Sequence, residues 1–194
     1  MKVLAIETSC DETAAAVIED GTKIISNVIA TSAVMHKKYG GIVPEVAARE
    51  QLRSIIPVIT KALIPLSPKP ITNYQLAMNK YIDAIAVTIG PGLIGSLLIG
   101  VETAKTFAMV TGKPLIPVNH VLAHMYANFI NDKQINESNK LTITFPAISL
   151  VVSGGHTELY LMKSVKDVQW LGGTIDDAAG EAFDKTARLL GFEN

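Results

Sequence analysis

Two of the four histidines in this 194-residue chain, His120 and His124, stand four residues apart in "PVNHVLAHMYANF". On a helix capped by Asn119, that spacing puts both imidazoles on one face, near enough to share a metal ion. Two nitrogen donors fall short of a stable site, because a catalytic metal generally takes three protein ligands and keeps one position open. The other histidines offer no obvious third: His36 follows the third expected strand in a lysine-rich loop, and His156 follows a glycine turn. No His-Glu-x-x-His arrangement is present, so the general base of a metalloprotease is missing. The pair reads either as part of a metal site or as two polar residues one helical turn apart.

Four further stretches carry chemistry-bearing residues. "ETSCDET" crowds Glu7, Thr8, Ser9, Asp11, Glu12 and Thr13 into one connection between strands. Its hydroxyls and amides suit a phosphate and its carboxylates a metal-bound water or a reacting amine, while Ser and Asp also favour ordinary turns. "VSGGHT" follows an apolar run, and Ser153, Gly154 and Gly155 suit either a phosphate cradle or a tight hairpin with glycine at positive φ. In "IDDAAGEAFDKTARLL", Asp177, Gly180, Glu181 and Asp184 fall on one expected helical stripe. Phe183, Ala187 and Leu190 give that helix an apolar face for the core. A solvated acidic face beside Lys185 and Arg188 explains the charges but not the glycine, which costs roughly 1 kcal/mol in a helix and allows close approach, so ligand contact is favoured. "TIGPGLIGSL" places Gly90, Pro91, Gly92 and Gly95 between a strand and a helix N-terminus, which suits an anion or tight packing. It matches neither the Walker A nor the dinucleotide pattern.

The elements that must position these residues follow from hydrophobic period. "KVLAIETS", "TAAAVIED" and "KIISNVIATS" read as an antiparallel meander turning at Gly21. "EVAAREQLRSIIPVITKAL" has helical period, with Pro57 predicting a kink or two shorter helices. "PLSPKP" is a connector, and Thr72 with Gln75 has capping-box spacing at the head of "TNYQLAMNK". "DAIAVTIG" is an apolar run of the kind buried on both faces. A helix closed by Gly112 follows, then the strand "KPLIPVNH" and the helix of the histidine pair. "NDKQINESNKLT" is polar and aperiodic, which predicts a linker. Beyond it, strand, turn, strand, strand and helix repeat the opening order. The expected division is 1–131, a linker at 132–140, and 141–194. The second copy stops after its first helix, so the chain is expected to be truncated.

Composition excludes several classes. Hydrophobic residues make up 48% and charged residues 18%, as in a globular α/β protein and unlike a disordered one. The single cysteine, Cys10, rules out an internal disulfide and suits a reducing cytosol. "VLAI" before Glu7 is too short for a signal sequence, and Glu102 and Lys105 interrupt the most apolar stretch, against a membrane span. A net charge of −1 means that any nucleic-acid contact rests on a local patch or a partner.

Taken together, "LAIETSCDETAAAV", "GGIVPEVAAREQ", "TIGPGLIGSLLIG", "NHVLAH", "SLVVSGGHTEL" and "TIDDAAGEAFDK" resemble the tRNA threonylcarbamoyladenosine transferase family, once described as O-sialoglycoprotein endopeptidases, in its bacterial form. The resemblance implies an α/β fold of the ASKHA type (actin, Hsp70 and sugar kinases, ribonuclease H-like), with a whole first lobe and a partial second one. It implies that His120 and His124 ligate a divalent metal, iron or zinc, with a third ligand, an aspartate, in a region this sequence lacks. It further implies transfer of threonylcarbamoyl from threonylcarbamoyl-AMP to the adenosine beside the anticodon of tRNAs that read ANN codons. Val151, Val152, Ser153, Gly154 and Gly155 would hold the adenylate phosphate; Gly180, Glu181 and Asp184 would meet the nucleotide, with ATP or ADP as other occupants. Asp11 and Glu12 would orient the attacking amine or a water.

The implied partners are tRNA, a paralogous subunit and an ATPase, in the cytoplasm and without a membrane, with "HKKYGG", Arg49 and Arg53 as candidate phosphate contacts and a solvated basic loop as the alternative. A shortened chain is expected to be inactive alone and to self-associate through exposed apolar surface. The rivals are a non-catalytic partner subunit, which the His pair argues against, a metalloprotease, and an ASKHA kinase, which would not need two histidines on a helix.

Overall fold

A computed structural model describes residues 1–37, 39, 41–67, 73–130 and 143–192. These form two compact units, the first built on Met1–His120 and the second on Val121–Phe129 together with residues 143–192. The expected linker at 132–140, Thr72, and Lys38 and Gly40 of "HKKYGG" lie outside the described residues.

In the first unit, β1 (Lys2–Glu7), β2 (Glu12–Glu19) and β3 (Lys23–Thr31) form the expected antiparallel meander. Along β2, Thr13, Ala15 and Val17 are buried in strict alternation, as a strand with one face on a core requires. The short helix α1 (Ala33–Lys37) follows, then α2 (Pro44–Leu63), which runs unbroken through Pro57. The expected pair of shorter helices does not form. Ile55, Val58, Ile59 and Leu63 are buried around the proline, at about 1.5–3 kcal/mol each, and together they outweigh the roughly 3 kcal/mol cost of an interior proline. Pro57 itself is exposed, so the carbonyl it leaves without a helical donor faces water.

The helix α3 (Tyr74–Tyr81) is capped by Asn73, whose side chain accepts from the Leu76 amide at 3.0 Å. Next come β4 (Ala84–Gly90), α4 (Ile94–Thr111) and β5 (Leu115–Asn119). Gly112 ends α4 at φ 67°, the left-handed cap that glycine adopts without strain. The strand order is β3-β2-β1-β4-β5, with β4 parallel to both its neighbours and Ala84 to Thr88 all buried. Leu4, Ile6, Ile59, Met78, Ile85 and Val87 lie at the centre of the core that α2 and α4 close over this sheet. Among the described residues α4 is the one helix long and apolar enough to cross a membrane, yet it packs on β4 and α2 and carries an ion pair, Glu102 with Lys105.

The second unit begins within α5 (His120–Tyr126) and contains β6 (Ala147–Val152), β7 (Thr157–Met162), β8 (Val168–Gly173) and α6 (Ala179–Leu189). The three strands are antiparallel in sequence order. Val121 and Met125 of α5 pack on Val151, Tyr160 and Met162, one face of the sheet. The other face leaves Ile148, Leu150 and Val152 half or more exposed.

Candidate functional site

In the first unit, three parallel neighbours end side by side. β1 ends at Glu7, β4 holds Thr88 opposite that end, and β5 ends one residue before His120. The Glu7 carboxylate accepts the Ser9 amide on Oε1 and the Thr88 hydroxyl on Oε2, and Oε2 lies 3.4 Å from His120 Nδ1. Burial works to raise the Glu7 pKa, but the hydrogen bonds from His120, Ser9 and Thr88 outweigh it and hold the group at about 2. The carboxylate is therefore ionised and purely an acceptor.

Residues 8–12 form a turn locked by its carbonyls. Gln51 Nε2 donates to the carbonyls of Thr8 (3.3 Å), Cys10 (2.9 Å) and Glu12 (3.0 Å). Ser96 Oγ donates to Cys10 O at 3.0 Å, and the Leu93 amide to Ser9 O at 2.8 Å. Ser32 gives both its amide (3.0 Å) and its hydroxyl (2.8 Å) to Asp11 O. Gly92 and Gly100 permit this approach of α4: a Cβ at either would stand 2.5 Å from Ser9 O or 2.4 Å from Thr8 Oγ1. With the carbonyls held inward, Glu12 is exposed and Asp11 half-buried, so both carboxylates are offered to solvent from a fixed backbone. Burial, reinforced by the Asp11 charge, pushes the Cys10 thiol up to about 11 and keeps it from acting as a nucleophile.

In the second unit, His124, Asn128, Ser149, Val151, Val152 and Ser153 line a cavity of about 190 Å³. Two of the sequence-marked groups, the second histidine and the start of the glycine turn, thus share one space. Beyond it, Ser153 Oγ accepts the amides of Gly155 (3.3 Å) and His156 (3.0 Å), and the Ser153 amide donates to His156 O at 2.8 Å. Gly154 and Gly155 do not have the positive φ that a glycine hairpin suggested. A Cβ on either would meet nothing within 4 Å. Among the described residues, neither backbone conformation nor packing accounts for these two glycines.

Gly180 is the opposite case. A Cβ there would lie 2.6 Å from Ser153 O and 2.8 Å from the Gly154 amide nitrogen, so the glycine lets α6 dock on the turn. Its own amide donates to Ser153 O at 3.1 Å. Asp177 precedes α6 and does not extend its stripe. Lys185 Nζ lies 2.8 Å from Asp177 and 3.1 Å from Glu181, and those two carboxylates, Asp177 first, raise the Lys185 pKa. Mutual repulsion is thereby relieved within the helix, and Asp184 is exposed. The expected core face of α6 is uncovered: Phe183 and Leu190 are 75% and 70% exposed.

Imidazole nitrogen suits iron or zinc, and α5 supplies two such donors one turn apart, with an acceptor carboxylate beside Nδ1 of the first. Among the described residues no group of three or more His, Cys, Asp or Glu stands close enough to hold a metal ion. Imidazole donors of this kind are ones a divalent metal accepts.

Thr88, Gln51 and Ser32 escaped the sequence reading as site residues, and Glu7, marked there with its turn, was not paired with His120. Thr88 and Gln51 left a trace there, as polar residues at positions where the apolar pattern required burial. His36 is 4% exposed and belongs to α1, not to a surface loop.

The sequence model of the TsaD family, tRNA N6-adenosine threonylcarbamoyltransferase, matches residues 23–194. A tRNA N6-adenosine threonylcarbamoyltransferase of Thermomicrobium roseum is 53% identical over 99% of this chain and 50% of its own length. One from Persephonella marina is 50% identical over 99% of this chain and 51% of its own. The chain spans about half the length of the curated relatives it matches. Among solved structures, YeaZ from Pseudomonas aeruginosa superposes with a TM-score of 0.48 at 14% identity, over 89% of this chain and 66% of that one.

Proposed function

We propose, for a chain that belongs to the tRNA N6-adenosine threonylcarbamoyltransferase family, that it carries the donor-binding and metal-binding parts of that transfer reaction. The α/β architecture is of the ASKHA type. Supporting the reading most directly is the space shared by His124 and residues 151–153, beside two glycines that no packing among the described residues requires to be glycine.

In the proposed reaction the N6 amine of an adenosine in tRNA attacks the carbamoyl carbon of threonylcarbamoyl-AMP. A urea C–N bond forms, the carbamoyl–phosphate bond breaks, and AMP leaves. Asp11 and Glu12, presented by the locked turn, orient the amine and take the proton it loses. The open side of Gly154 and Gly155 admits the adenylate phosphate close to the backbone, and Glu181 and Asp184 face the nucleoside from the helix that Gly180 docks on the turn. ATP or ADP would use the same contacts. A divalent metal bound by His120 and His124, iron or zinc, would supply Lewis-acid polarisation of the carbamoyl group. Tyr39 at 54% exposure and Arg49 and Arg53 at 72% and 74% side-chain exposure are candidate tRNA contacts, the two arginines being paired with Glu45 and Glu50. The cytoplasm, a paralogous subunit and an ATPase complete the reading.

The test incubates the purified chain with a tRNA transcript, threonylcarbamoyl-AMP and Fe2+ or Zn2+, with and without the partner subunits, and measures threonylcarbamoyladenosine in the digested tRNA by mass spectrometry. Product that disappears in Glu12→Gln supports the transferase reading. Saturable adenylate binding without product in any mixture would make the chain a binding subunit. No binding at all would overturn the proposal.

A further inference from the structure

A carboxylate accepts hydrogen bonds and cannot give them, so whatever faces it must bring a proton. Glu7 Oε2 already takes the hydroxyl proton of Thr88, and Oε1 takes the Ser9 amide, which together fix the carboxylate in place from two sides. The nitrogen of His120 that faces Oε2 is Nδ1, at 3.4 Å. A lone pair on that nitrogen would stand against the lone pairs of the carboxylate. We infer that Glu7 is a positioning residue for His120, holding the neutral ring with its proton on Nδ1 and its lone pair on Nε2.

The sheet explains why this relation is stable. Glu7, Thr88 and His120 come from the carboxyl ends of three adjacent parallel strands, so strand pairing itself sets their spacing. Thr88 is 4% exposed, and its hydroxyl is committed to Glu7 in a place where water does not compete. A ring fixed in this tautomer loses little freedom when Nε2 takes a metal. This last step rests on the metal reading above; the tautomer itself does not.

Two measurements separate them. Long-range 1H–15N spectra of the histidine-labelled chain at about pH 8, above the ordinary histidine range, report which ring nitrogen of His120 carries the proton. The expected result is Nδ1–H in the wild type. In Glu7→Gln the side-chain oxygen stays with the Ser9 amide, the NH2 faces His120, and the tautomer is expected to reverse. Co2+ titration, followed by visible absorption, should then show affinity falling by about tenfold to a hundredfold in Glu7→Gln, with a smaller loss in Thr88→Val, which leaves the carboxylate charge in place.

An Nε2–H ring in the wild type would overturn the inference, and that arm needs no variant to fold. The same tautomer and the same Co2+ affinity in wild type and Glu7→Gln would also overturn it. An Nδ1–H ring that reverses in Glu7→Gln, in a chain that takes up no Co2+, would support the role of Glu7 and remove the metal reading instead.

Discussion

The buried ring of His36 stands with Nε2 3.0 Å from Ser32 Oγ, while its Nδ1 accepts the Val43 amide at 3.2 Å. With Nδ1 an acceptor, Nε2 carries the proton and gives it to Ser32, whose own hydroxyl donates to Asp11 O. A backbone segment before α2 is thereby tied, through two side chains, to the turn that presents Asp11 and Glu12. Ser32→Ala breaks the relay at its middle and strands both the His36 proton and part of the Asp11 acceptor. The expected cost is about 1–3 kcal/mol in urea unfolding, with faster amide exchange at residues 11–13 than elsewhere in β2. Uniform exchange across β2 would contradict the relay.

Gln51 is 1% exposed and one amide group serves three carbonyls. Gln51→Leu keeps the volume and takes this donor from all three carbonyls, of which Cys10 O keeps Ser96 Oγ. A destabilisation on the order of 1–3 kcal/mol or more is expected, together with weaker Glu12-dependent product formation. If Gln51→Leu is as stable as wild type, the turn is held by Ser96, Ser32 and the Leu93 amide alone.

The Cys10 thiol, raised to about 11, should resist alkylation by iodoacetamide near neutral pH and react at the rate of a free thiol only after unfolding. The folded protein favours the protonated thiol more than the unfolded chain does. This contribution to stability is therefore complete below about 9, the ordinary value, and is lost as pH rises towards 11. In Cys10→Ser the alkaline limb of the stability curve should flatten between those values.

The three glycines beside Ser153 should separate by mechanism. Gly180→Ala drives a methyl group into the Ser153–Gly154 backbone and should cost about 1–3 kcal/mol. Gly154→Ala and Gly155→Ala meet open space, so melting temperature should barely move while adenylate binding, read by calorimetry, falls. Unchanged binding in both would remove the phosphate from this turn.

Ile148, Leu150 and Val152 expose one apolar stripe of β6, 50–61% accessible, next to Leu159 of β7. Sedimentation velocity at rising concentration should show self-association of this chain, and Leu150→Glu should reduce it. A single monomeric species at all concentrations would mean the stripe is not adhesive.

Much of this was legible in the sequence, for reasons particular residues illustrate. The strand "TAAAVIED", the apolar run of β4 and the Gly112 cap are local signals, and the elements formed where those signals placed them. At Pro57 the alternative of two shorter helices failed because tertiary burial on either side overrode a local preference. Phe183 and Leu190 carried a correct helical period but no information on whether anything covers them. Gln51 and Glu7 were the harder cases, since their roles depend on partners tens of residues away.

That distance has a kinetic meaning. Glu7 meets Thr88 across 81 residues and His120 across 113, so its carboxylate has no native partner beyond the nearby Ser9 amide until β4 and β5 have paired on β1. The β1–β2–β3 meander can close early through short loops, whereas the parallel pairings carry the large entropy of long-loop closure. In a refolding experiment the Thr88 amide and the His120 ring would be late clocks, and the interval between the meander and their signals would time the birth of the site.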